Sequence, residues 1–193
     1  QAIVTVPGRG YLFALAPEGE PLTAPDPGPG SGPDTGAVRP IRLPLLLANA
    51  PLIGRETERG ELLACLRAHA VVTVVGTGGI GKTRLALAVA HACQADFAGG
   101  VWLTDLSVLS DGGQVAATVA HALGIAIPSE PAAVSAHAGT MAAALRGQEL
   151  LLVLDNCEHV LDPVAALVDA LRERAPQVRV LATSQEPLHV VDE

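Results

Sequence analysis

From Val74 to Thr83 the chain reads VVGTGGIGKT, two valines running into a cluster of glycines that stops at a lysine and a threonine. The octet Gly76-Thr77-Gly78-Gly79-Ile80-Gly81-Lys82-Thr83 fits G-x-x-x-x-G-K-[ST] in full, a pattern whose chemistry is phosphate binding. Glycines allow backbone conformations closed to other residues, so successive N–H groups can turn inward and form an anion-binding concavity. A helix starting at the end of such a loop adds its orphan N–H donors and partial positive charge. Lys82 would reach the β- and γ-phosphates of a nucleotide, the Thr83 hydroxyl would ligate Mg²⁺, and Arg84 follows in the same first turn. The plain alternative is a glycine-rich turn with no ligand. A β-branched run before the loop and a helical run after it, as the motif requires, argue for the phosphate site.

A magnesium–nucleotide site also needs a carboxylate delivered from the end of a neighbouring strand. Leu150 to Leu154 (LLLVL) followed by Asp155 supplies one, although an Asp after an apolar strand is by itself often only a turn residue. Many nucleotide hydrolases of this type place Glu or Asp directly after the metal-linked Asp, to accept a proton from the attacking water; here the residue is Asn156. An amide can orient water but cannot take its proton. Glu158 could serve as that base, or could instead favour the start of a helix by its charge. Past a further apolar run, Thr183-Ser184-Gln185-Glu186-Pro187 presents polar side chains to the same edge, and Thr183, Ser184 or Gln185 could bond the γ-phosphate or the attacking water. Slow hydrolysis, suited to a switch, is the expectation.

The elements that must position these groups follow from periodicity. Glu56 to His69 places Leu62, Leu63 and Leu66 on one face with charges opposite, an amphipathic helix despite Gly60. Val71 to Val75 is a short β-branched strand, followed by the loop and a helix from about Lys82 to Gln94. Val101 to Leu106 is a second strand, Gln114 to Leu123 and Ala136 to Arg146 are Ala-rich helices, and Leu150 to Leu154 is a third strand. Val160 to Arg174 is a helix and Val178 to Ala182 a fourth strand. Alternating apolar strands and helices imply an α/β fold, a parallel sheet with helices on both faces. Functional residues then lie just past the carboxyl ends of the strands. Upstream, Ala2 to Val6, the turn Pro7-Gly8-Arg9-Gly10 and Tyr11 to Leu15 read as a β-hairpin. Pro17 to Pro40 is about half Pro and Gly and reads as a disordered linker.

Composition narrows the function. Twelve Lys and Arg against twenty Asp and Glu give a net charge of −8, and the basic residues are scattered, so the chain offers no large phosphate-neutralising surface of its own. Only 2% of the residues are aromatic, so Val, Leu, Ile and Ala must build the core. Cys65, Cys93 and Cys157 are odd in number with no C-x-x-C pair, against both a disulfide framework and a zinc site; a reducing cytoplasm is the expected compartment. The apolar stretches fall short of the roughly 20 residues of a membrane-spanning helix. His69, His91, His121 and His137 are isolated, and Trp102 is most simply a packing residue. A chain opening on Gln1 and closing on VVDE is expected to be a piece of a longer one.

The segments PLIGRETE, VVTVVGTGGIGKTRLA, LLLVLDNCEHVLD and VRVLATSQEPL resemble the bacterial signal-transduction ATPases with numerous domains, the STAND class related to NB-ARC modules. The likeness covers Pro51 to Glu193 and is strongest to ATPases joined to transcription-regulator domains. It implies a P-loop NTPase three-layer sandwich, cut before its last strand and helical lid, with the strand ending at Ala182 inserted between the phosphate-loop strand and the Asp155 strand. It implies that Ile53, Gly54 and Arg55 line the adenine pocket, that Lys82 and Thr83 are the Walker A pair, and that Asp155 is the Walker B Asp. ATP or ADP with Mg²⁺ would be the cofactors. Where the family usually has T-S-R, this chain has Gln185, which questions γ-phosphate sensing by a cation.

IVTVPGRGYLF, Ile3 to Phe13, is similar to the closing wing hairpin of OmpR/PhoB-type winged-helix DNA-binding domains. On that likeness residues 1–16 are the tail of such a domain, 17–48 a linker and 49–193 the ATPase domain. DNA would be met through the mostly missing upstream domain, with Arg9 at its backbone. With the recognition helix absent, the fragment itself is not expected to bind DNA specifically, and without a fifth strand the sheet is expected to expose the edge of Val71 to Val75. A nucleotide-dependent homo-oligomer and helical or repeat domains downstream complete the expectations. A small-molecule kinase or housekeeping ATPase, and a non-hydrolysing scaffold, are the alternative readings.

Overall fold

A computed structural model describes residues 3–6, 10–14, 41–42, 54–126 and 134–190. Its strands are β1 (Ile3–Val6), β2 (Gly10–Ala14), β3 (Ile41–Arg42), β4 (Val71–Val75), β5 (Val101–Asp105), β6 (Leu151–Asp155) and β7 (Arg179–Ser184). The helices are α1 (Glu56–Ala68), α2 (Lys82–Ala92), α3 (Val115–Ala122), α4 (Val134–Ala144) and α5 (Leu161–Arg174). All seven strands join one sheet in the order β1-β2-β4-β7-β6-β5-β3. Its centre, β4-β7-β6-β5, is parallel throughout, with β7 between the strand that leads into the glycine-rich loop and the strand that ends on Asp155.

From β4 the chain passes through α2 to the far strand β5, then steps back through α3, α4 and α5 by way of β6 to β7. Right-handed crossovers taken in opposite directions put their helices on opposite faces of a sheet. Two cores result. On one face Leu62 and Leu66 of α1 and Leu85 and Val89 of α2 are buried with Val72, Val74, Leu151, Val153 and Leu181. On the other, Val119, Met141 and Leu167 are buried with Val71, Leu152, Leu154, Val180 and Ala182. Along β6, Leu151 and Val153 serve the first core and Leu152 and Leu154 the second, the period-two alternation of a strand covered on both sides. This is the three-layer α/β sandwich expected from the sequence. Leu181, at the centre of the sheet, is fully buried. Leu181→Ala should therefore cost about 2–5 kcal/mol, read as a lower urea midpoint.

The sheet edges differ from expectation. β1 and β2 form the antiparallel hairpin, but β2 also runs parallel to β4, pairing Leu12 with Thr73 and Ala14 with Val75. The edge expected to be exposed is thus paired from Thr73 to Val75, where β2 takes up outward N–H and C=O groups. Ile41 and Arg42, inside the stretch 17–48 read as linker, pair antiparallel with Leu103 and Trp102 of β5. A β-branched residue fits such an edge position. The remaining residues of that stretch, and Ile53, lie outside the described residues.

No described helix is long and apolar enough to cross a membrane. Cys65, Cys93 and Cys157 are free thiols. Burial, aided by the Asp96 charge, pushes Cys93 up to about 11. Burial, then the charges of Asp155 and Glu158, push Cys157 higher still, and burial followed by Glu61 raises Cys65. These thiols stay protonated at neutral pH and pack as small apolar groups.

Candidate nucleotide-binding site

β4, β7 and β6 are neighbours and parallel, so whatever follows their carboxyl ends is brought to one edge of the sheet. The glycine-rich loop leaves β4 and is tied at its start to β7, Gly76 N–H donating to the Ser184 carbonyl at 3.2 Å. Gly79 and Gly81 have φ of 76° and 91°, left-handed values that cost any residue with a Cβ about 1–2 kcal/mol. Gly81 is the residue before α2, whose start has no side-chain cap and no acidic residue in its first turn. The positive end of that helix is left to the loop and to whatever anion the loop holds.

Lys82 is only 7% exposed, yet its ammonium has no carboxylate partner among the described residues. Its Nζ donates to the carbonyls of Gly76 at 2.8 Å and Thr77 at 3.1 Å, which holds the cation over the loop. One residue on, Thr83 Oγ1 donates to both carboxylate oxygens of Asp155, at 2.8 and 3.1 Å. Asp155 is 6% exposed and also accepts from Thr183 Oγ1. A hydroxyl and a carboxylate in direct contact are the hard oxygen donors that Mg²⁺ takes, and this ion typically uses one or two protein ligands and keeps several waters. The donor set fits: Thr83 and Asp155 would hold the ion.

The strand expected to end at Ala182 continues through Thr183 and Ser184. Both lie within β7 and are fully buried. The Thr183 hydroxyl is spent on Asp155 and on Asn156 N–H, which it accepts at 3.1 Å; Ser184 Oγ accepts from Glu186 N–H at 3.2 Å. The Thr183 hydroxyl is therefore not free to meet a phosphate, and Ser184 is withdrawn from the surface. Thr183 instead holds Asp155 in place, a role its position at the strand end did not reveal. Thr183→Val, which keeps the shape and removes the hydroxyl, leaves the carboxylate one donor short and a backbone N–H unpaired. It should cost about 1–3 kcal/mol, measurable by urea denaturation.

Gln185 is the first exposed residue past β7, and its Nε2 donates to Glu158 Oε1 at 3.1 Å. Glu158 sits on the short 3₁₀ turn Cys157–His159 that follows β6. Its hydrogen bond goes to Gln185 rather than to a helix start, and α5 begins with no side-chain cap. Asn156 takes a left-handed conformation, φ 61° and ψ 53°, which Asn tolerates better than most residues. Its Nδ2 reaches Asp105 Oδ1 at 3.4 Å. Asp105 was not singled out in the sequence, although it ends β5 in register with Asp155. Its place at the close of a parallel apolar strand was the available signal.

Of the segment expected to line the adenine pocket, Gly54 has φ 76° and Arg55 immediately precedes α1. Arg55 Nη1 is buried without a partner and lies 4.0 Å from where a Cβ on Gly81 would stand. The guanidinium therefore rests against the end of the phosphate loop, with a donor still to be satisfied. Thr77, Gly78 and Gly79 are exposed at the loop, Ile80 packs partly into the α1–α2 core, and Arg84 is exposed on α2.

A parallel sheet whose strand ends carry a glycine-rich loop and an opposed Asp defines an α/β module of the P-loop NTPase class. Residues 49–192 match the profile of the family described as Novel STAND NTPase 1. The chain belongs to that family. A protein of Mycobacterium tuberculosis named as an HTH-type transcriptional regulator is 40% identical over 130 residues, 67% of this chain and 14% of that protein. Regulatory protein AfsR of Streptomyces griseus is 30% identical over 162 residues, 79% of this chain and 16% of that protein. The chain thus spans only 14% and 16% of the length of these two curated relatives. The crystal structure of Cdc6p from Pyrobaculum aerophilum superposes with a TM-score of 0.58 at 17% identity, covering 72% of this chain and 41% of that one, a likeness of fold.

Proposed function

We propose that this chain is the ATP- and ADP-binding switch module of a bacterial transcriptional regulator, with slow hydrolysis separating its two nucleotide states. The observation that carries this reading is the pairing of two arrangements: a nearly buried Lys82 held over the loop by main-chain carbonyls alone, and Thr83 in direct contact with Asp155. Lys82, the loop N–H groups and the start of α2 would bind the β- and γ-phosphates, and Arg55 would add a donor from the side. Bound Mg²⁺ would neutralise phosphate charge. Thr183 keeps the Asp155 carboxylate oriented towards Thr83 before any ligand arrives. Asn156, at the usual place of the base, cannot accept the proton of an attacking water; an acceptor further along the turn, such as Glu158, would be less directly placed, so the rate should be low.

The names of the relatives support the regulatory setting. In this reading residues 1–16 are the wing of an upstream winged-helix DNA-binding domain, residues 17–48 connect it to the ATPase module, and helical or repeat domains follow. The regulator works in the cytoplasm, and its nucleotide state biases a closed against an open, self-associating form. A non-hydrolysing scaffold is the second reading, favoured by Asn156 and Gln185 standing where a base and a cation are usual.

Calorimetric titration with Mg-ATP and Mg-ADP, followed by phosphate release from a single loaded turnover, tests the proposal. Both nucleotides should bind, with release on the order of 10⁻³ s⁻¹, the scale of an unassisted nucleotide switch. Release at many turnovers per second would make the chain an enzyme proper, and tight binding with no release would make it the scaffold.

A further inference from the structure

Glu158 and Gln185 come from different strand ends and meet at the carboxyl edge of the sheet. Glu158 stands three residues past Asp155 on the turn after β6, and Gln185 directly follows β7, the strand lying between β6 and the phosphate-loop strand β4. The Gln185 amide holds one carboxylate oxygen of Glu158, Oε1, at 3.1 Å. The other, Oε2, is buried with no hydrogen-bond partner. A carboxylate oxygen withdrawn from solvent and unpaired is costly unless something fills its vacancy. Asn156, the residue at the usual place of the base, is turned away from that duty by its left-handed backbone and by its amide contact with Asp105.

We infer that Glu158 is the proton acceptor of ATP hydrolysis in this module and that Gln185 is a positioning residue that holds it. The inference rests on the nucleotide-switch reading above and assigns its slow step. A water molecule donates to Glu158 Oε2 and attacks the γ-phosphorus. The new bond joins the water oxygen to phosphorus, and the bond from phosphorus to the β–γ bridging oxygen breaks. ADP departs with that oxygen and its electron pair, and the water proton passes to Oε2 and from there to solvent. Gln185 thus serves the base, where a cation at the same position would serve the γ-phosphate. The Gln185–Glu158 hydrogen bond lies at the exposed rim, so anything that draws the loop after β7 away from the turn after β6 releases the base and stops hydrolysis without disturbing the nucleotide.

The test is single-turnover hydrolysis of Mg-ATP by the 193-residue chain, with affinity measured separately by calorimetry. Glu158→Gln should hydrolyse about 100-fold more slowly or worse, the usual worth of a positioned base, at unchanged affinity. Gln185→Glu keeps the size of the side chain, removes the donor and sets two carboxylates together, and it should fall at least tenfold. Gln185→Ala should slow the wild-type chain yet add nothing in the Glu158→Gln background, the non-additivity of residues that act as one unit. Wild-type turnover in Glu158→Gln, an equal loss from Gln185→Ala in both backgrounds, or a wild-type chain that binds Mg-ATP and never cleaves it would each overturn the inference while leaving nucleotide binding intact. A chain that binds no nucleotide would take the underlying reading down with it. If Glu158→Gln does not fold, the surface substitution Gln185→Glu carries the test alone, and its turning over at the wild-type rate would be contrary.

Discussion

Lys82→Ala is expected to weaken Mg-ATP binding by about 100-fold or more while leaving the fold intact. The ammonium is nearly buried and spends its hydrogen bonds on the carbonyls of Gly76 and Thr77. With a nucleotide bound, those donors would turn to phosphate oxygens, and each charge-assisted bond is worth roughly 1.5–3 kcal/mol. The side chain packs at the start of α2 without a partner carboxylate, so its removal creates no unpaired buried charge. Thermal unfolding with and without Mg-ATP is the measurement. The wild-type chain should gain stability in proportion to the logarithm of nucleotide concentration, and the variant should gain little. An equal gain in both would mean that the nucleotide is bound elsewhere or without this cation.

Asp155→Asn should act on magnesium rather than on the nucleotide as such. Asp155 accepts from Thr83 and from Thr183, and an amide in its place offers one acceptor oxygen and presents an N–H₂ to a hydroxyl. Thr83 and Thr183 would have to reorient, at a stability cost of about 1–3 kcal/mol. Hydrolysis should fall by roughly 100-fold or more, the usual worth of a cation aimed at the reacting phosphate, because the ion that Asp155 would hold is bound more weakly. The discriminating measurement is the ratio of ATP affinities with magnesium and with a chelator. It should be well above one in the wild-type chain and collapse towards one in the variant; an unchanged ratio would remove Asp155 from the metal site.

The chemistry-bearing loop and the strand–helix alternation were legible because both are local signals. Eight residues specify the phosphate loop, and β-branched runs such as Val71–Val75 cannot be mistaken for helices. The order of the central strands came from the family likeness, and the structure agrees with it. Other features were hidden for physical reasons. Thr183 looked like one of four polar residues at a strand end, and only the register of β6 against β7 sets its hydroxyl on Asp155. Asp105 gains its meaning from pairing with Asp155 across two strands about fifty residues apart in the chain. The contact between Gln185 and Glu158 is likewise tertiary. Backbone pairing at the sheet edges, with β2 on β4 and β3 on β5, joins segments about sixty residues apart in the chain, and a local pattern of apolar residues does not say which open edge a strand will fill.

The most direct test of the central claim is to purify the chain without added nucleotide, denature it and identify what is released by chromatography, with Lys82→Ala alongside. Adenine nucleotide, mostly ADP, should leave the wild-type chain and be missing from the variant. A folded wild-type chain that releases nothing, and whose melting temperature moves with neither Mg-ATP nor Mg-ADP, would contradict the account.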